Sequence, residues 1–332
     1  MDFLKTQGTG FTSNGEPIRY SGTNCYYLPY ASRQMADTLL DSADALGLRL
    51  IRTWAFFEEE ENNDAFQQRL DYVVAGAAKR GMRLLLPLTN NWKDFGGMPA
   101  YIAQHKLAEH DEFYEDARPR QAYKDWCTTL LDRVNPLTGI AYKDDPTILG
   151  WELANEARCV TGGIPLMRRW IEEMSEHLKS IDSKHLVGLG DEGFFNRWTI
   201  GKSKWWLDGS QGYDFDEFLR IPSIDFASFH LYTDALGVEP GYGNQWIEEH
   251  CESGDKAGKP VLLEEYGLKD QAARNDVYAE WLATARKHRV ASDLFWMLAE
   301  KRDDGTLYPD YDGFTIYPET LPQAIRDHLL VA

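Results

Sequence analysis

Short runs rich in leucine and β-branched residues alternate with amphipathic stretches from one end of the chain to the other. The runs at 18–24, 48–54, 83–89, 147–154, 186–191, 224–231, 260–266 and 293–298 read as strands, mostly of the kind buried on both faces. Between them, 32–46, 64–80, 120–134, 165–180, 214–219, 244–257 and 271–288 read as helices, and 319–330 as a closing one. The third-and-fourth spacing is clearest at Ile164, Met167, Trp170, Ile171, Met174 and Leu178, an apolar stripe suited to packing on a sheet. Regular alternation of this kind predicts α/β architecture with a parallel sheet, and eight repeats predict a single closed (β/α)8 TIM barrel.

The 332 residues exceed the ~250 of a typical barrel, and the pattern assigns the surplus to long loops. These are 90–119 after the third strand and 192–213 after the fifth. Both follow strand C-termini, the face where barrel enzymes build their sites. No linker, repeat or low-complexity tract divides the chain, so one domain, 1–332, is expected.

A net charge of −18 and a pI of about 4.9 disfavour nucleic acid and anionic membranes as partners and suit a neutral substrate. Cys25, Cys127, Cys159 and Cys251 show no metal-ligand spacing and are expected to be reduced. The eight histidines form no His-x-His pattern, so no metal and no cofactor is expected. Met1-Asp2-Phe3-Leu4-Lys5 does not resemble a signal peptide, and no apolar run reaches the roughly 18 residues of a membrane span. Taken at face value the protein is expected in the cytoplasm, or outside the cell if the chain is a trimmed mature form.

Chemistry collects at the predicted strand ends. Strand 2 ends in Arg52-Thr53-Trp54, strand 3 in Asn90-Asn91-Trp92, strand 4 in Asn155-Glu156, strand 6 in His230-Leu231-Tyr232, strand 7 in Glu264-Glu265 and strand 8 in Trp296. Each has a bland explanation alone: a structural ion pair, a satisfied core histidine, a packing tryptophan. Together on one barrel face they define a site. Two strand-end carboxyls set roughly 5 Å apart are what a retaining glycosidase needs, one as proton donor and one as nucleophile.

Trp151-Glu152-Leu153-Ala154-Asn155-Glu156-Ala157-Arg158-Cys159 resembles the acid/base motif of glycoside hydrolase family 5, in the form of its β-mannanases. Asn90-Asn91-Trp92-Lys93-Asp94-Phe95-Gly96-Gly97, Ile224 to His230 and Tyr308 to Phe314 are similar to other segments of that group. The resemblance implies Glu156 as general acid/base and Glu265, directly before the aromatic-glycine pair, as nucleophile. Residue alternation along a strand supports choosing Glu265 over Glu264, since neighbours face opposite ways. It further implies substrate-site roles for Arg52, Trp54, Asn91, Trp92, Asn155, Arg158, His230, Tyr232 and Trp296. Arg52 would keep the nucleophile ionised, Tyr232 would hydrogen-bond it, and Trp296 would floor the sugar site. Glu156 is expected to stay protonated in a less polar pocket with a negative neighbour.

The chain departs from the family pattern at Ala157, usually proline, at Met297, usually glutamine, and at Thr233, usually proline. The implied activity is retaining hydrolysis of β-1,4-mannosidic bonds in mannan and manno-oligosaccharides, with endo action favoured. The alternatives are an exo-acting β-mannosidase and another β-glycan hydrolase such as a β-glucanase. A metal-dependent barrel hydrolase lacks its ligands here, and a non-catalytic sugar-binding barrel would not need both carboxylates.

Overall fold

The computed structural model describes residues 1–57, 63–197 and 204–330. Residues 198–203 of the expected loop after strand 5 lie outside the described residues, as do 331–332 of the expected domain. The chain opens with β1 (Lys5–Gln7), β2 (Gly10–Ser13) and β3 (Glu16–Ile18), an antiparallel sheet. The sequence reading missed this sheet and gave Ile18 to the first barrel strand, whereas Ile18 pairs with Phe11. The signal was there: Asn14 and Gly15 take φ of 53° and 82°, the left-handed pair that a tight hairpin turn demands and Asn-Gly supplies.

All eight expected barrel strands form: β4 (Tyr20–Asn24), β5 (Leu50–Arg52), β6 (Arg83–Pro87), β7 (Ile148–Glu152), β8 (Leu186–Gly188), β9 (Ala227–Leu231), β10 (Val261–Tyr266) and β11 (Ser292–Phe295). Their order is β8-β7-β6-β5-β4-β11-β10-β9, each neighbour parallel. Between β8 and β9 the barrel closes through single bonds, Asp225 N–H to Val187 O at 2.8 Å and His230 N–H to Glu192 O at 3.3 Å.

Helices follow the strands: α1 (Arg33–Ala45), α2 (Asn63–Lys79), α3 (Gly97–Gln104), α4 (Glu112–Glu115), α5 (Ala117–Asp132), α6 (Gly163–Ile181), α7 (Phe215–Phe218), α8 (Thr233–Leu236), α9 (Tyr242–Ala257), α10 (Arg274–Lys287) and α11 (Gln323–Leu329). The expected loop 90–119 thus carries α3, α4 and the start of α5.

Two apolar layers hold the fold. Inside the barrel, Leu50, Leu85, Leu149, Leu186, Leu262 and Leu294 pack with Phe226, and Leu4 and Phe11 of the N-terminal segment plug the bottom. Outside, helices cover the strands; α6 buries Met167, Trp170, Ile171, Met174 and Leu178, the stripe its spacing predicts. Strand approach is tight: a Cβ on Gly22 of β4 would meet Leu50 O at 2.1 Å, so only glycine fits there. With the lower end plugged, the open C-terminal end is left for chemistry.

Candidate active site

A cleft of about 850 Å³ opens at the strand C-termini, and Glu156, Glu265, Asn155, Tyr232, Trp54 and Trp296 are among its walls. Asn155 and Glu156 arrive on the chain leaving β7, tied by Asn155 N–H to Thr89 O and Glu156 N–H to Gly190 O, each at 2.8 Å. Glu156 has φ of 52°, a left-handed conformation that costs energy outside glycine. Those two backbone bonds hold it there, aiming its carboxyl across the cleft.

The second carboxylate comes from β10, whose pairing with β9 slips between Leu263 and Glu265. Leu263 pairs with Phe229 and Glu265 with the very next residue, His230, so Glu264 is the extra residue of a β-bulge. A bulge breaks strand alternation, and here it turns both glutamates toward Arg52. Arg52 Nη1 donates to Glu265 Oε1 at 2.7 Å, and its Nη2 lies 3.3 Å from Glu264 Oε2. The alternation used to separate the two glutamates therefore does not hold. What separates them is depth: Glu265 lines the cleft and accepts from Tyr232 Oη at 2.7 Å, while Glu264 is fully buried beneath.

Arg52 is the hub. Besides Glu265 it donates from Nε to Glu152 Oε2 at 2.8 Å and from Nη2 to Asn155 Oδ1 at 2.9 Å. The Trp54 ring packs 5.0 Å from its guanidinium carbon. His230 is equally placed, with Nδ1 2.8 Å from Glu156 Oε1 and Nε2 3.3 Å from Glu264 Oε2. Trp92 Nε1–H donates to the other Glu156 oxygen at 2.6 Å. One oxygen each of Glu156 and Glu265 and one His230 nitrogen all lie within 4.8 Å of one another. That spacing could hold a cation, yet both carboxylates already accept bonds from Trp92, Arg52 and Tyr232.

The charges do not fall as expected. Burial pushes Glu156 up, but the His230 hydrogen bond and charge, then Trp92 and Arg158, outweigh it and leave the carboxyl below its ordinary range. For Glu265 burial wins over the pull of His230 and Arg52, with Glu156 adding to it, and its proton affinity is raised. Burial disfavours protonated His230, yet the charge of Glu265 and the bonds to Glu156 and Glu264 hold it well above the usual imidazole value. The Glu156–His230 contact thus lowers the proton affinity of the carboxyl and raises that of the ring.

The remaining predicted residues sort themselves. Trp296, joined to Met297 by a cis peptide, stacks on Tyr26 with ring centres 5.7 Å apart and donates to Asp312 Oδ2 at 2.7 Å. Arg158 pairs with both oxygens of Glu192 at 2.7 Å among the rings of Trp92, Phe194 and Trp205. Asn91 is buried and accepts from Arg158 N–H at 3.2 Å, so it supports the wall, and it is Asn90 that lines the cleft. Tyr26, Glu192, Tyr308 and Tyr311 also line it and were missed: Tyr308 and Tyr311 sit in a loop with no strand-end signal, while Tyr26 and Glu192 lie just past the expected strands 18–24 and 186–191, where that signal could have found them. Beneath the floor lie Glu152, which the sequence reading gave no role, and Glu264, which it weighed as the nucleophile and set aside for Glu265. The four cysteines are buried and unpaired, and among the described residues no helix is long and apolar enough to cross a membrane.

A profile of the glycoside hydrolase family 5 β-mannosidase-like group matches residues 57–313. The structure of an endo-1,4-β-mannanase from Rhizomucor miehei superposes with a TM-score of 0.91 at 36% identity, covering all of both chains. That of an endo-β-1,4-mannanase from Thermotoga petrophila gives 0.88 at 36% identity, over 96% of this chain and 77% of that one. Mannan endo-1,4-β-mannosidase F of Aspergillus fumigatus is 34% identical over 359 residues, 98% of this chain and 77% of its own length. The barrel, the strand-end carboxylates and these relatives agree: the chain belongs to glycoside hydrolase family 5, in its β-mannosidase-like group.

Proposed function

We propose that this glycoside hydrolase cleaves internal β-1,4 bonds of mannan and manno-oligosaccharides with retention of configuration, using Glu156 as acid/base and Glu265 as nucleophile. The observation that carries the reading is the approach of the two carboxyl groups, with oxygens within 4.8 Å of each other. A retaining pair stands ~5–5.5 Å apart, whereas an inverting pair stands ~6.5–9.5 Å apart to admit a water.

The first step needs a proton on Glu156. The His230 Nδ1 proton crosses the 2.8 Å contact to Glu156 Oε1, leaving a neutral ring whose Nε2–H faces Glu264. Glu265, held by Arg52 and Tyr232, then bonds to the anomeric carbon as the glycosidic bond breaks and its oxygen takes the Glu156 proton. In the second step Glu156 takes a proton from water, the water oxygen bonds to the same carbon, and the bond to Glu265 breaks.

Polymer length is supported by two walls. Trp92, Arg158 and Glu192 stand on the Glu156 side, and Trp296, Tyr26, Tyr308 and Tyr311 extend away from it. At about 850 Å³ the cleft is near the upper end of small-ligand sites, more than one sugar ring requires. Proton NMR of the first anomer released from mannohexaose, with the product ladder, tests both parts. A β anomer and mid-chain products are expected. An initial α anomer refutes retention, and single mannose release with unchanged mannan viscosity refutes endo action.

A further inference from the structure

Glu152 ends β7 and Glu264 forms the β10 bulge, and the double displacement uses neither. Both side chains are wholly buried. Glu152 Oε2 accepts from Arg52 Nε at 2.8 Å; Glu264 Oε2 lies 3.3 Å from both Arg52 Nη2 and His230 Nε2. The two carboxyl groups also lie within hydrogen-bonding reach of each other, and each keeps one buried oxygen, Oε1, that meets no donor. Two carboxylates have no proton to bond through, and as adjacent buried anions they repel. Arg52 cannot neutralise both, because it also serves Glu265.

We propose that Glu152 and Glu264 share one proton, held on Glu152 as a carboxylic acid and accepted by Glu264 as a carboxylate, and that this pair positions the catalytic residues from beneath. One O–H between them supplies the missing hydrogen bond and removes one buried charge. The surroundings favour that division. Glu152 is raised far above the carboxylate range by burial, and then by Glu264. Glu264 is lowered to about 2 because Arg52, Glu152 and His230 outweigh its burial. The remaining groups that face the pair are Glu265 and, across the β8 side, Asp191 with Tyr213. An anionic Glu264 keeps a proton on His230 Nε2, so that Nδ1 is the atom that trades a proton with Glu156. A neutral Glu152 leaves the Arg52 charge to Glu265. These consequences rest on Glu156 and Glu265 being the catalytic pair.

The test uses E152Q and E264Q. Glutamine at 152 copies a carboxylic acid in shape and charge, so E152Q keeps both limbs of the kcat/KM profile in place, whatever its kcat. E264Q removes an anion from beside His230, so the basic limb moves to lower pH. A like shift in E152Q would mean that Glu152 carries charge, and the proposal fails. Melting temperature reads the same proton without turnover. An unfolded Glu152 releases its proton above about pH 4.3 and the folded one does not, so the wild type loses stability with rising pH and E152Q does not. E152Q minus wild type should therefore grow from pH 5 to pH 8; a flat difference overturns the proposal even if the catalytic pair is right. No variant is needed for the infrared measurement. At pH 9, above the values of about 7 and about 8 to which burial pushes Asp191 and Glu192, the wild type should retain a protonated-carboxyl band. Its absence refutes the shared proton.

Discussion

His230 Nδ1 lies 2.8 Å from Glu156 Oε1, and the same ring is the foremost opposing influence on the raised proton affinity of Glu265. One imidazole thus pulls down the proton affinity of both glutamates, prevailing over burial at Glu156 and not at Glu265. In H230Q the positive charge beside Glu265 is gone, so its carboxyl protonates more readily and the acid limb of kcat/KM moves to higher pH. Losing the proton partner of Glu156 should also cost at least about 10²-fold in kcat. An acid limb that stays in place in H230Q would remove His230 from this role.

Glu156 and Glu265 are distinguished by what azide returns. E156A and E265A should each lose several orders of magnitude in kcat. Azide should rescue E265A as an α-glycosyl azide, entering from the side the nucleophile vacated, and E156A as a β-glycosyl azide from the glycosyl-enzyme. An inactive E264A beside an active E265A would exchange the roles of the bulge glutamates.

Arg52 joins Glu152, Glu264 and Glu265 inside the barrel. Deleting one partner of such a network leaves buried charge uncompensated, a cost of about 3–5 kcal/mol. R52A should show that loss in urea unfolding at pH 7. Arg52 is the leading influence holding Glu264 down at about 2, below the unfolded value near 4.3. Its contribution through Glu264 is therefore complete above the unfolded value and lost as pH falls toward 2. A destabilisation that grows on acidification would contradict the assignment.

Arg158 lies among Trp92, Phe194 and Trp205 while gripping Glu192. R158A should raise KM for mannohexaose about tenfold, the worth of roughly 1.4 kcal/mol within the range of a desolvated cation–π contact. Turnover of a β-mannosyl fluoride, whose single-atom leaving group does not reach that wall, should fall far less. Equal losses on both substrates would place Arg158 with the chemistry instead.

The barrel was legible because its causes are local. Each strand and helix carries its own apolar period, and α6 buries nearly the stripe its spacing marks out. The proline-bracketed run before Asn155-Glu156 was likewise enough to put that pair at a strand end. The N-terminal hairpin was missed although Asn14-Gly15 announces it, because its edge strands carry too few apolar residues to show a period.

Sequence by itself determined the barrel and put Glu156 and Glu265 at strand ends on its open face, since period and motif are properties of neighbouring residues. Tertiary structure alone decided that a bulge turns Glu264 inward with Glu265, because register is set by the strand alongside. It also decided that His230 lowers the proton affinity of Glu156 while its own is raised. Charge in a dry interior depends on every group within a few ångströms, and those groups come from β5, β7, β9 and β10, far apart in the chain.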